Sequence, residues 1–392
     1  MKIMHRKTTV KALVAVLILC LVPAAQAQIK IGFMATLSGP AAAIGQDMYD
    51  AFMLGIEHSG GRLGGQAVQV LREDDQLKPD LATQIVQKLI EKERVSIIAG
   101  LTFSNVLMAV LKPVVDKEVF LIGANAGPAP VAGKQCSRYF FSTSLQNDND
   151  SEGMGKYAQD KGFKRVMLMA PNYQAGKDLL SGFKRYFKGE VVDEMYTPLN
   201  QLDYQAEIVQ VQAKKPDAVF VFYPGGMGVN FVKQYQQSGL LGKIPLLSAS
   251  TIDATTLPAL NENALGMVIV GHWAPDFDNP QSKKFVEDFE KKYNRIPSKY
   301  AAQSYDGALL LDAALRKTKG NVTDKKALQA ALKSADYKSV RGAFKFNNNN
   351  FPIQHFYFIE VGRDARNRVN LVTKGRVLTD HQDAYHGDCP LK

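Results

Sequence analysis

The stretch VRGAFKFNNNNFPIQHFYFIEV, residues 340–361, decides between two folds that the rest of the chain leaves open. It reads as two extended runs around a turn at Asn347 to Asn350. Before it, strand and helix patterns alternate almost throughout. Residues 29–33, 68–72, 95–99 and 119–122 read as strands, with helices predicted over 45–58, 79–94 and 104–116. The helix at 79–94 opens on proline and carries an apolar stripe through Leu81, Ile85 and Leu89. A second set follows: strands at 165–169, 191–196, 218–222, 244–247 and 267–270, with helices at 176–187, 204–213 and 227–238 between them. Such alternation argues for parallel sheets flanked by helices, and an eight-unit barrel would use the same grammar. After two further helices, 285–293 and 300–317, residues 340–361 change the pattern. A hairpin there fits a chain that crosses back between two lobes, and a barrel has no need of it. The expected fold is therefore α/β, with two doubly wound parallel sheets.

The N-terminus places Lys2, Arg6, Lys7 and Lys11 before an apolar run over 12–22, then Pro23 and Ala25-Gln26-Ala27. That order is a secretory leader, with cleavage expected after Ala27. Its apolar run falls short of the roughly 20 residues a spanning helix needs. Leu19 stands before Cys20 where a lipoprotein would carry a small residue. No stable membrane insertion is expected. Without the leader, Cys136 and Cys389 remain, and an oxidising compartment favours a bridge between them over two separate thiols. The formal charge of +10 falls to +6 once the four basic leader residues are removed. No arginine-rich run with interleaved aromatics is present, so nucleic acid is a poor partner.

IKIGFMATLSGPAAAIGQDMYDAF, residues 29–52, runs from strand through small-residue loop to helix. A phosphate loop would carry G-x-G-x-x-G or end in Gly-Lys-Ser/Thr. Here five residues separate Gly39 from Gly45, and Gln46-Asp47 follow, so no nucleotide cofactor is expected.

IKIGFMATLSGPAAAIGQDMYDAFMLGIEH, IIAGLTFSN, FLIGANAGPA, YFFSTSLQND, PNYQAGKDLL, DAVFVFYPGG and VRGAFKFNNNNF occur in that order over nearly the whole mature chain. The set resembles the type I periplasmic solute-binding proteins, in the branch that includes the leucine/isoleucine/valine-binding protein. That resemblance implies two Rossmann-like lobes joined by three crossovers, with a small ligand enclosed between them. The crossovers fall near residues 142–145, 273–275 and 344–347. One lobe would hold residues 28–144 plus 276–344, the other 145–275 plus 345–392. It also implies a periplasmic monomer that delivers its ligand to the permease of an ABC importer, whose ATPase supplies the energy.

In open α/β sheets ligands sit beyond the carboxyl ends of strands, where helix N-termini offer free N–H groups and a positive dipole end. Residues 37–45 then floor the cleft. By similarity to relatives, the loops at Thr102, Phe103 and Ser104 and at Ala124, Asn125 and Ala126 hold a ligand carboxylate; the ordinary alternative for Ser104 is a helix N-cap. Tyr173 matches the position at which amino-acid-binding relatives place a tyrosine over the ligand. Tyr223 and Gly225 follow the next strand, where Tyr223 could equally be a packed strand-end aromatic.

An α-amino acid would need a buried partner for its ammonium. Branched-chain relatives supply a carboxylate from the loop after the strand at 246–247; here Ser250 or Thr251 stands at the nearest match, with Asp253 slightly later. Phe103, Tyr173, His272 and Trp273 fall at expected cleft loops, and flat walls suit a ring. GHWAPDFDNP and YAAQSYDGALLL resemble segments of aromatic-acid-binding members of the group. The expected ligand is a benzoate-like or hydroxycinnamate-like anion, whose ring hydroxyl His272 or Asp253 could meet; a branched-chain or other aliphatic amino acid is the alternative. Trp273 could instead be a hinge-packing residue.

An enzyme is the competing class, yet G-x-S-x-G and H-E-x-x-H are both absent. His381, Asp383, His386, Asp388 and Cys389 in DHQDAYHGDC follow no strong metal spacing and read as a solvated tail, so neither metal nor catalysis is expected. Function then rests on closure, in which a ligand touching both lobes favours the closed state by its differential affinity.

Overall fold

A computed structural model describes residues 28–391 of the chain. The expected leader and its cleavage after Ala27 lie outside the described residues. Among the described residues no helix is long and apolar enough to cross a membrane.

The first sheet takes its strands from the start of the chain: β1 (Ile29–Ala35), β2 (Arg62–Leu63), β3 (Gln66–Asp74), β4 (Ile97–Gly100), β5 (Phe120–Gly123) and β6 (Phe140–Ser142). Their spatial order is β2-β3-β1-β4-β5-β6. All pairings are parallel except β2 with β3, and Ile31 stands level with Val70 on one side and Ile97 on the other. Strands such as β4 and β5 are buried at every position, which is why they read as unbroken apolar runs. The intervening helices are α1 (Ala42–His58), α2 (Pro79–Gln87), α3 (Ser104–Val115) and the short α4 (Ala129–Ala132). The helix expected over 79–94 opens as predicted but continues past α2 as a π-helical turn, Lys88–Lys92.

The second sheet follows α5 (Asp148–Asp160). It contains β7 (Arg165–Pro171), β8 (Glu190–Thr197), β9 (Ala218–Val221), β10 (Leu246–Ser248) and β11 (Val268–Gly271), connected through α6 (Gln174–Tyr186), α7 (Gln205–Lys214), α8 (Gly226–Gln237) and α9 (Leu257–Leu260). The chain then returns to the first sheet with α10 (Pro280–Tyr293), α11 (Lys299–Lys317) and α12 (Lys325–Lys333). Helix α11 lies along α1 so closely that a Cβ on Gly55 would stand 2.6 Å from the Cβ of Ala308. Only glycine at residue 55 permits that approach. Finally β12 (Lys345–Phe346), β13 (Pro352–Arg363) and β14 (Val369–His381) complete the second sheet, β13 pairing antiparallel with β11 and β14 antiparallel with β13. Two separate sheets replace the single closed one that a barrel requires.

Three elements lie outside those expected, although α12 does carry an apolar stripe through Leu328, Ala331 and Leu332. Helix α5, DNDSEGMGKYAQD, carries no apolar stripe, yet Asp148, Asp150 and Glu152 are buried. Helix α12 follows a short loop and owes its start to the Asp324 carboxylate, which accepts from Ala327 N at 2.9 Å. Strand β14 is rich in polar residues because it lies at the sheet edge.

The segment DHQDAYHGDC is a correction: it is not a solvated tail. Tyr385 OH donates to Asp148 Oδ2 at 2.9 Å, His381 pairs with Glu152, and buried Asp383 accepts from Asn349 Nδ2 at 2.9 Å. Cys389 is bonded to Cys136, with Cα atoms 5.7 Å apart. The physical reason lies in α5, whose buried acids need donors, and this tail supplies two of them.

Candidate ligand-binding cleft

Four helices start beside the gap between the sheets: α3, α5, α6 and α8. None carries a side-chain cap hydrogen bond. Their first-turn N–H groups are left without helix-internal partners, a natural seat for negative charge. Phe103, not Ser104, is the N-cap residue of α3, so the capping reading of Ser104 falls.

Thr102, Phe103, Ser104, Asn125, Ala126, Tyr173 and Ser250 all line one cavity in this gap. Thr102 Oγ1 accepts from Thr36 N at 3.1 Å and donates to Met48 Sδ at 3.6 Å, so that hydroxyl is spent within the first sheet's own packing. Asn125 Nδ2 donates to Thr102 O at 2.6 Å and ties the two loops together. Ser104 Oγ accepts from Asn147 Nδ2 at 3.1 Å, and the same amide donates to Asp178 Oδ2 at 2.9 Å. Aromatic rings form the wall: Tyr173 stacks on Phe222, with centroids 6.1 Å apart at 22°, and meets Phe103 at 6.2 Å. Burial pushes the Tyr173 hydroxyl pKa up, so it stays a neutral phenol.

Six other expected residues do not line this cavity. Ala124 closes β5, its N–H donating to Gly100 O at 2.8 Å. Tyr223 is packed between Tyr204 and Phe231, with centroids at 4.7 and 5.1 Å. Trp273 donates from Nε1 to Ser282 Oγ at 2.9 Å and packs on Phe285 beside the crossover into α10, the hinge-packing alternative. Asp253 Oδ1 accepts from Thr255 N at 2.7 Å and Thr255 Oγ1 at 2.6 Å, a local turn. His272 is fully enclosed beside Gln303, and burial pushes its pKa down to about 4, so it is neutral near pH 7. Gly225, at φ +62°, lies on the seam itself, where a Cβ would stand 3.1 Å from Pro40 O. The 37–45 loop therefore touches the second sheet's loops, and Ile44 reaches the cavity.

The sequence profile of the family described as periplasmic binding protein matches residues 28–366. The chain belongs to that family. Among curated relatives, the Leu/Ile/Val-binding protein homolog 6 of Brucella melitensis biotype 1 is 31% identical over 349 residues, covering 86% of this chain and 88% of the relative. Among solved structures, a solute-binding protein of an ABC transporter from R. palustris, in complex with benzoate, is 30% identical with a TM-score of 0.88, covering 93% of this chain and 100% of that one. Another, from Rhodopseudomonas palustris BisB5 in complex with 3,4-dihydroxybenzoic acid, is 28% identical with a TM-score of 0.86, covering 91% and 99%.

In this periplasmic binding protein the cavity also holds residues that periodicity did not single out, chiefly Asp150, Asn147, Phe222 and Tyr300. Lys299 Nζ lies 2.5 Å from Asp150 Oδ2 and 2.7 Å from Ser250 Oγ, so an ion pair joins α11 to α5 across the seam. Burial, the largest influence, works to raise the Asp150 carboxyl pKa, but the Lys299 ammonium and the neighbouring His272 together outweigh it and hold the group below its ordinary value. A usable signal existed: Gln146-Asn147-Asp148-Asn149-Asp150 is an unbroken polar run immediately after an expected crossover.

A larger open groove lies between α9, α10 and the turn joining β13 to β14. Its charges satisfy one another, Arg366 Nη1 to Glu290 Oε2 at 2.8 Å and Arg295 Nε to Asp47 Oδ1 at 2.7 Å. The cavity between the sheets, with its uncapped helix starts and aromatic wall, is the better ligand site.

Proposed function

We propose that this protein captures a small aromatic carboxylate between two closing lobes and presents it to the membrane permease of an ABC importer in the periplasm. The lobes comprise residues 28–144 plus 276–344 and 145–275 plus 345–392. The protein acts as a binding protein without catalysis, and works as a monomer. The observation that carries the reading is the pairing of an aromatic wall (Phe103, Tyr173, Phe222) with the uncapped start of α3. A ring packs against the former and a carboxylate against the latter. The R. palustris relatives in complex with benzoate and 3,4-dihydroxybenzoic acid support the ligand class.

One observation favours a second reading. Asp150 is a carboxylate on the cavity wall, and curated relatives carry the name Leu/Ile/Val-binding protein, so an amino acid could place its ammonium there. Charge opposes this. Lys299 already neutralises Asp150, and an ammonium would bring a second buried cation to one anion. Calorimetry on refolded, ligand-free mature protein separates the readings: saturable binding of aromatic acids and none of leucine or valine is expected, and tight leucine binding with no aromatic binding would reject the proposal.

A further inference from the structure

Two polar atoms on the cavity wall have no hydrogen-bond partner among the described residues: Asp150 Oδ1 and Tyr300 OH. Asp150 is 1% exposed and Tyr300 2%. Leaving such groups unpaired in a dry interior costs about 1–3 kcal/mol each. His272 Nδ1 lies 4.0 Å from Asp150 Oδ1, beyond hydrogen-bond reach. Lys299 occupies the other carboxylate oxygen, so Oδ1 keeps an open accepting face. Tyr300, whose hydroxyl also faces Asp253 and Ser250, lines the same cavity and can donate, whereas Asp150 can only accept.

With the Tyr300 phenol donating, the partner that fits this pair is a neutral group that both donates and accepts. An ammonium could donate to both oxygens, since a phenol also accepts, but it would bring a second cation beside Lys299; a plain hydrocarbon edge satisfies neither. A phenolic hydroxyl does both. Asp150 lies three residues beyond Asn147 on α5, so the two share a helix face with Cβ atoms roughly 5–6 Å apart. Asn147 is bonded to Ser104 at the start of α3. The orphan pair therefore sits within one ring's reach of the carboxylate seat.

Resting on the aromatic-acid reading above, we propose that Asp150 and Tyr300 are the specificity-determining residues of the site and select ring-hydroxylated aromatic acids over the unsubstituted acid. The hydroxyl donates to Asp150 Oδ1 and accepts from Tyr300 OH. Asp150 comes from α5, packed on the second sheet's strands, and Tyr300 from α11, packed on α1 beside the first sheet. The hydroxyl is thus read only when the seam closes, so discrimination is built into closure rather than into first encounter.

The test is calorimetric titration of refolded, ligand-free mature protein with benzoate, 3- and 4-hydroxybenzoate, 4-methoxybenzoate and leucine, repeated on Tyr300→Phe. At least one hydroxybenzoate should bind at least about tenfold tighter than benzoate, and 4-methoxybenzoate, which cannot donate, should not regain the difference. In Tyr300→Phe the hydroxybenzoate-to-benzoate ratio should narrow by roughly tenfold, one neutral hydrogen bond's worth. Equal affinity of wild-type protein for benzoate and every hydroxybenzoate would overturn this inference while leaving the aromatic-acid reading standing. Binding of leucine alone would overturn both. An unchanged ratio in Tyr300→Phe would remove Tyr300 from the role. The wild-type ligand series carries the test even without the variant.

Discussion

Replacing Lys299 by Met removes one partner of the buried ion pair that crosses the seam to Asp150, at nearly constant volume. At 2.5 Å the gross attraction between Lys299 and Asp150 is about 7 kcal/mol for an effective dielectric near 20. Desolvation of both side chains, 8% and 1% exposed, offsets much of that while the pair is intact. Removing the ammonium leaves the carboxylate buried and uncompensated, a loss of about 3–5 kcal/mol. The loss should depend on pH in a particular sense. In the native protein the Asp150 pKa is held below its ordinary value, so its contribution is present above about pH 4 and disappears as pH falls further. In Lys299→Met the largest opposing charge is gone, burial outweighs what His272 still offers, and the folded-state pKa moves above the unfolded one. The folded protein then takes up a proton on acidification, and stability falls as pH rises through the new pKa. Urea denaturation of ligand-free protein at pH 5 and pH 8 should show the larger deficit at pH 8. A deficit below about 1 kcal/mol, or equal deficits at the two pH values, would refute the buried-pair argument.

Tyr173→Ala, which removes a wall ring stacked on Phe222, should weaken aromatic-acid binding by roughly 2–3 kcal/mol without unfolding the protein; unchanged affinity in calorimetry would move the pocket elsewhere. The Cys136→Ser/Cys389→Ser double variant should lose about 2–5 kcal/mol of stability, read as the urea midpoint of oxidised wild type against variant, because the bridge spans 253 residues of sequence. Asp148, which burial and then the nearby Asp178 charge push up to about 7, should make the folded state bind a proton that the unfolded state has released. Stability contributed by that proton is present at low pH and lost as pH rises through about 7, so Asp148→Asn should flatten the pH dependence of the melting temperature between pH 5 and 8.

The strands were legible where burial on both faces leaves a plain apolar run, as in β4, β5 and β9. Helices were legible where one face is wet and the periodicity clear, as in α2. Helix α5 was not, because its buried face is made of acids whose partners Arg185, His381 and Tyr385 lie at least 33 residues away. Asp150 was missed for the same reason, since its partner Lys299 is 149 residues distant. The loops at 102–104 and 125–126 were placed at the cavity because strand-to-helix junctions face the switch between sheets. His272, Asp253 and Trp273 were also expected there, but a loop's position does not say which way its side chain turns. In each case a neighbour of its own, Gln303, Thr255 or Ser282, holds the side chain away.

The sequence by itself determined the α/β class, two sheets rather than a barrel, the family, and the candidate pairing of Cys136 with Cys389. These follow from periodicity, local chemistry and order along the chain, which do not require knowing what packs on what. Only the tertiary structure decided which polar groups are spent and which are free. Lys299 neutralises Asp150 across the seam, the tail satisfies the acids of α5, and Asp150 Oδ1 with Tyr300 OH is left unpartnered in the cavity. Hydrogen bonds and ion pairs act over about 3 Å in space whatever the separation in sequence, so their ledger closes only when the chain is folded.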